Sequence, residues 1–246
     1  MFETAIIGGT GLGVISGAKL IEQREMTTPY GALSAAVQVI EIDGARCAFL
    51  QRHGLPHHIP PHRINYRANL WALRELQVRR VIAVNAVGGI GTAMSAGRIA
   101  IPDQIVDYTY GREHTFSDGE TGSVLEHVDF THPYTPSLRA VLLEAARRVR
   151  VEVVDGGVYG ATQGPRLESV AEIARMARDG CDLVGMTGMP EAGLARELGL
   201  EYAALCLVVN PAAGLAPGEI TMDDIRRVID SGMGRVQTLL AAALGI

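Results

Sequence analysis

The residues of this chain best suited to anion chemistry fall in a few short motifs: Gly8-Gly9-Thr10-Gly11, Arg52-His53-Gly54, Asn85-Ala86-Val87-Gly88-Gly89, Gly185-Met186-Thr187-Gly188 and Asn210-Pro211. Glycines let backbone N–H groups close on an anion, and a threonine hydroxyl adds a donor. A guanidinium is a planar fork that grips phosphate oxygens in pairs, and His53 stands beside Arg52 as a second donor. Singly, each motif is ordinary: a tight turn, a surface ion pair, a strand end. Jointly, Thr10, Arg52, His53, the Ala86 backbone and Thr187 make a complete phosphate cradle.

Other chemistries fit less well. A dinucleotide fingerprint needs a third glycine where this chain has Val14, and no acid is placed for a ribose. His53, His57, His58 and His62 suggest a metal, but Pro56, Pro60 and Pro61 break their spacing and no cysteine or carboxylate lies among them. A proline-stiffened loop is expected instead, with no metal. Glu168, in Gln163-Gly164-Pro165-Arg166-Leu167-Glu168-Ser169, reads two ways. It is either an exposed acid near a helix N-terminus or an acceptor for a ring N–H of a bound base.

Positioning these motifs requires strands that end where they begin. β-Branched, nearly continuous apolar runs predict strands over 4–7, 37–42, 45–50, 80–84, 151–154, 182–184 and 202–209. Helical periodicity predicts helices over 63–76 and 137–149, the latter with Ser137 as N-cap. Ser169 and Glu172 form a capping box for a helix that ends near Gly180. Pro190 suits a first helical turn, and Thr221 opens the last helix. The segment 114–134 is polar and aperiodic, the longest candidate loop. Each motif comes after a predicted strand, and in open α/β sheets ligands bind beyond the carboxyl ends of strands. The reading is one α/β domain over 1–246 with a mixed, largely parallel sheet flanked by helices.

Composition narrows the partners. The formal net charge is −5 and the 22 basic residues are scattered, so no nucleic-acid footprint is expected. Cys47, Cys181 and Cys206 are far apart in apolar stretches, as small buried thiols in a reducing compartment would be. No basic n-region or membrane-length apolar run is visible. A cytoplasmic protein without membrane contact is expected.

Together, IIGGTGLG (6–13), RHG (52–54), PPHRINYRANLWAL (60–73), NAVGG (85–89), YGATQGPRLES (159–169), VGMTGMPEAGLARELG (184–199) and LVVNPAAG (207–214) resemble the trimeric purine nucleoside phosphorylase family. That family includes methylthioadenosine and methylthioinosine phosphorylases. The resemblance implies a phosphorylase/hydrolase-like α/β fold around a distorted sheet or barrel, and a homotrimer whose sites are completed by neighbours. It implies no cofactor, with inorganic phosphate as co-substrate. It places Thr10, Arg52, His53, Ala86 and Thr187 on phosphate, Met186 along the ribose, and Leu167, Glu168 and Asn210 at the purine.

Within that resemblance, adenine-type enzymes carry aspartates at the positions of Asn210 and Ala212 and a serine at that of Glu168. Asn paired with Glu implies a 6-oxopurine, because the amide donates to O6 and N7 while the carboxylate accepts from N1–H. Met222 stands where a histidine would meet a 5′-hydroxyl and implies a 5′-methylthio group. His127 aligns with a loop histidine that reaches a neighbour's site. The implied reaction is phosphorolysis of methylthioinosine, with Asn210 and His53 as its catalytic side chains. The alternatives are a general inosine/guanosine phosphorylase, a methylthioadenosine phosphorylase, and a non-catalytic nucleotide-binding domain.

Overall fold

Period-two burial governs the central strands. In a computed structural model that describes residues 2–117, 119 and 125–246, strand β1 (Thr4–Gly8) sends Ala5 and Ile7 to one face and Ile6 to the other, all fully buried. β5 (Arg80–Gly89) splits Val81 and Ala83 from Ile82 and Val84 in the same way. β11 (Glu201–Pro211) splits Tyr202, Ala204, Cys206 and Val208 from Ala203, Leu205, Leu207 and Val209. Both faces are covered by helices, which is why these runs read as continuously apolar.

The first face packs α1 (Tyr66–Glu75) and α4 (Gly188–Glu197) through Leu70, Leu73, Ala192 and Leu194. The second packs α2 (Pro136–Val149) and α5 (Met222–Leu244) through Leu138, Leu142, Ile229 and Val236. Each such leucine, isoleucine or valine contributes roughly 1.5–3 kcal/mol by leaving water.

β5 is the branch point of the sheet. Its first half lies between β1 and β11, parallel to both. Its tip, Gly88 and Gly89, pairs antiparallel with β10 (Leu183–Gly185). One arm continues from β1 through β4 (Ala45–Gln51) and β3 (Val37–Ile42) to the edge strand β2 (Lys19–Arg24). A second runs from β10 through β9 (Val158–Ala161) to β7 (Gln104–Asp107), and a third from β11 through β6 (Ile99–Ile101) to β8 (Val153–Asp155). No pairing among the described residues joins the ends of these arms, so the sheet is mixed and largely parallel but not a closed barrel.

Several expectations are corrected. The helix expected over 63–76 begins at Tyr66, capped by the Asn65 side chain, after a 3₁₀ turn at Pro61–Arg63. α2 is entered through Thr135, not Ser137, because Pro136 takes the first helical position, where its missing N–H costs nothing. β5 and β11 run on through Asn85–Gly89 and Asn210–Pro211, so those motifs are strand, not post-strand turn. β2, β6, β7 and β9 add to the expected strands. Ser169 and Glu172 do form the capping box of α3 (Val170–Arg178). The segment 114–134 holds no helix or strand among its described residues; 118 and 120–124 lie outside them.

Candidate active site

The ends of β1, β4, β5, β10 and β11 open on one cavity of about 400 Å³, a size suited to a small organic ligand. Thr10, Arg52, His53, Ala86 and Thr187 all line it, and so do Met186, Leu167, Glu168, Asn210, Ala212 and Met222. Every expected site residue except His127 is therefore brought to one place. His127 is exposed and lies outside this lining.

At Arg52 the arrangement differs from a fork held open for phosphate. The side chain is fully buried. Nε donates to Glu191 Oε2 at 2.7 Å and Nη2 to Glu191 Oε1 at 2.8 Å. Nη2 also donates to Asn85 Oδ1 (3.2 Å) and Nη1 to the Val84 carbonyl (3.0 Å). The bidentate partner is thus a buried carboxylate, and of five N–H donors only one, on Nη1, is left for a ligand. Burial opposes charge on Arg52, but Glu191 outweighs it and holds the guanidinium protonated. Glu191 is itself fixed by the Tyr202 hydroxyl at 2.8 Å. The chain passes close to this group at Gly9, where a Cβ would sit 2.8 Å from Arg52 Nη1 and 2.5 Å from the Val84 carbonyl oxygen.

His53 begins a tight loop. Its carbonyl accepts the N–H groups of His58 and Ile59, both at 3.0 Å, and its Nδ1 donates to the Ile59 carbonyl at 2.9 Å. Gly54 holds φ +80°, and a Cβ there would meet His58 at 2.8 Å. Burial first, then the Arg52 cation, push the His53 pKa down to about 4. The ring is neutral near neutrality, so it is not the simple second donor expected from its type. Among the described residues no group of three or more His, Cys, Asp and Glu is placed to hold a metal ion.

The base-side residues are set by local irregularity. Where β11 pairs with β5, Val208 faces Val87 and Asn210 faces Gly88, so Val209 is a bulge that re-aims the Asn210 side chain. Asn210 Nδ2 donates to the neighbouring Pro211 carbonyl at 2.7 Å, leaving its other N–H and its oxygen uncommitted. Glu168 precedes the α3 cap, and its Oε1 accepts from the Thr162 hydroxyl at 2.7 Å. Thr187 enters α4 without a side-chain capping bond, so its hydroxyl stays available. Met222 opens α5 and joins Ile220 and Ile225 as an apolar wall of the cavity.

Two supporting residues carry no clear mark in the sequence. Glu191 reads as an ordinary acid in a first helical turn, and nothing local marks it as the partner of Arg52. Arg112 is buried, and its Nη1 and Nη2 donate to the carbonyls of Met186 (2.9 Å), Met189 (2.6 Å), Thr162 (3.1 Å) and Gln163 (2.8 Å). It ties the loop bearing Met186 and Thr187 to the loop leading to Glu168. Its only sequence signal is a lone arginine in a polar segment.

An open α/β sheet with a cavity at its strand ends is the class of fold that binds a small ligand there. The phosphorylase superfamily profile matches residues 3–245. A probable S-methyl-5′-thioinosine phosphorylase from Pseudomonas syringae is 52% identical over 240 residues, covering 98% of this chain and 97% of that protein. A probable 6-oxopurine nucleoside phosphorylase from Thermococcus kodakarensis is 43% identical over 250 residues, 99% of this chain and 92% of the other. Among solved structures, methylthioadenosine phosphorylase from Schistosoma mansoni with adenine superposes with a TM-score of 0.95 at 29% identity, over 100% of this chain and 91% of that one. The chain belongs to the phosphorylase superfamily and is an enzyme of the nucleoside phosphorylase type.

Proposed function

We propose that this enzyme phosphorolyses a 6-oxopurine nucleoside, S-methyl-5′-thioinosine before others, to hypoxanthine and S-methyl-5-thioribose 1-phosphate. The observation that carries the reading is the single cavity shared by Thr10, Arg52, His53, Ala86 and Thr187 with Glu168 and Asn210. The names of the relatives, one a probable S-methyl-5′-thioinosine phosphorylase and another a probable 6-oxopurine nucleoside phosphorylase, support it.

Phosphate attacks C1′ as the C1′–N9 bond breaks and its electron pair leaves with the purine. No side-chain nucleophile, metal or organic cofactor takes part. The cradle sets the attack geometry. The uncommitted Asn210 N–H stabilises charge that develops at N7 and O6. Thr162 occupies one oxygen of Glu168, and the other accepts from N1–H. A 6-aminopurine turns a lone pair toward that carboxylate instead. Ala212 adds no second acid. Met186 lies along the ribose, Leu167 against the purine, and Met222, with Ile220 and Ile225, takes the 5′-methylthio group.

His127, exposed on its own chain, serves a neighbouring subunit of a homotrimer. The free, buried thiols of Cys47, Cys181 and Cys206 fit a cytoplasmic enzyme of purine salvage. Asn210→Ala tests the mechanism: kcat falls by about 10²–10³ while phosphate KM changes little. Unchanged kcat removes Asn210 from the chemistry.

A further inference from the structure

The loop that carries His53 decides which ring nitrogen bears the proton. The Ile59 carbonyl, 2.9 Å from Nδ1, can only accept, so Nδ1 holds the hydrogen. The ring is pinned: one face stacks on His57 with centroids 4.4 Å apart. The loop is closed by the two N–H groups donated to the His53 carbonyl. The groups around it disfavour a second proton. Burial of the ring does so most, the adjacent Arg52 cation next, and His57 adds to the effect. The neutral ring then keeps a lone pair on Nε2, and His53 is one of the residues that line the cavity.

A lone pair repels a bare anion oxygen and welcomes a hydroxyl. Among the described residues the lining holds one acidic side chain, Glu168, and in the phosphorolysis reading its free oxygen goes to the purine N1–H. Thr10, Thr187 and the last Nη1–H of Arg52 are donors for unprotonated oxygens. We propose that His53 Nε2 accepts the P–OH of a singly protonated phosphate dianion, so the cradle selects among tetrahedral anions by whether they carry a hydroxyl. This rests on the phosphorolysis reading for the position of the anion.

The test is calorimetric titration of the intact enzyme at pH 8 with phosphate, sulfate and monofluorophosphate, at matched ionic strength. All are dianions there, and only phosphate keeps a hydroxyl. Phosphate binds about 10- to 100-fold more tightly than the other two, the range for one buried acceptor left facing no donor. In His53→Gln, whose amide can present N–H instead, the ratio collapses to about threefold or less. ¹⁵N NMR of the wild-type ring with phosphate bound shows Nε2 unprotonated, which keeps the proposal testable if the variant fails to fold. Equal binding of the three anions by the wild type, or a protonated Nε2, overturns the acceptor role. Equal binding together with phosphate-dependent base release overturns that role alone. Failure of all three anions to bind removes the anion site, and the phosphorolysis reading with it.

Discussion

At Arg52 the guanidinium charge is compensated inside the protein before any ligand arrives. Removing one partner of such a buried pair leaves a bare charge and is costly. Glu191→Ala should therefore lose about 3–5 kcal/mol of stability in urea unfolding, and a loss under about 1 kcal/mol would show that Arg52 finds another partner. Glu191→Gln keeps the shape and loosens the fork, so phosphate KM should rise more than kcat falls. His53 adds a pH signature. Its folded pKa, about 4, lies below the unfolded value near 6.5. The stability it contributes is present above pH 6.5 and lost as pH falls toward 4. The unfolding midpoint should drop across that window, less steeply in His53→Gln than in the wild type; identical slopes would deny the depressed pKa. Arg52 and His53 are legible from their motif. Their partners are not, because Glu191 lies 139 residues away from Arg52 and nothing in local spacing tells which acid will meet it.

Among the elements, legibility varies. β3 is legible to the residue because its β-branched, apolar run stops at the Asp43-Gly44 turn. β5 and β11 read short, because the motifs at their ends look like turn sequence yet continue the ladder. β6, β7 and β9 have three or four residues each and are not expected from the sequence, although β8 and β10, as short, are. β2 is an exposed edge strand whose charged residues mask its pairing. The capping box of α3 is legible because Ser and Glu three apart form it without tertiary help. It also anchors Leu167 and Glu168, the residues just before it. Ser169→Ala should cost about 1 kcal/mol in thermal or urea unfolding. It should also raise nucleoside KM more than phosphate KM. Equal changes in the two constants would mean that the cap does not position Glu168. The bulge at Val209, which aims Asn210, has no sequence signal.

The whole chain exposes more than its mass requires. Its accessible surface is 11,599 Å² for 26.2 kDa, against about 10,600 Å² from the scaling of compact monomers. Large apolar side chains stand in solvent, among them Leu167, Val170, Leu215 and Met222 on the segments that carry the cavity. Leu167 and Met222 line the cavity itself, so the homotrimer rests on the family resemblance. Light scattering at micromolar concentration should give about three times the chain mass, and a monomer of full activity would exclude a neighbour's His127 from the site. The central claim is tested most directly by base release from methylthioinosine, inosine and methylthioadenosine, measured side by side with and without phosphate. Release should require phosphate, and kcat/KM should be highest for methylthioinosine. It should be about 10- to 100-fold lower for methylthioadenosine, whose ring edge leaves Glu168 unpaired. Release without phosphate, or a preference for methylthioadenosine, would contradict the account.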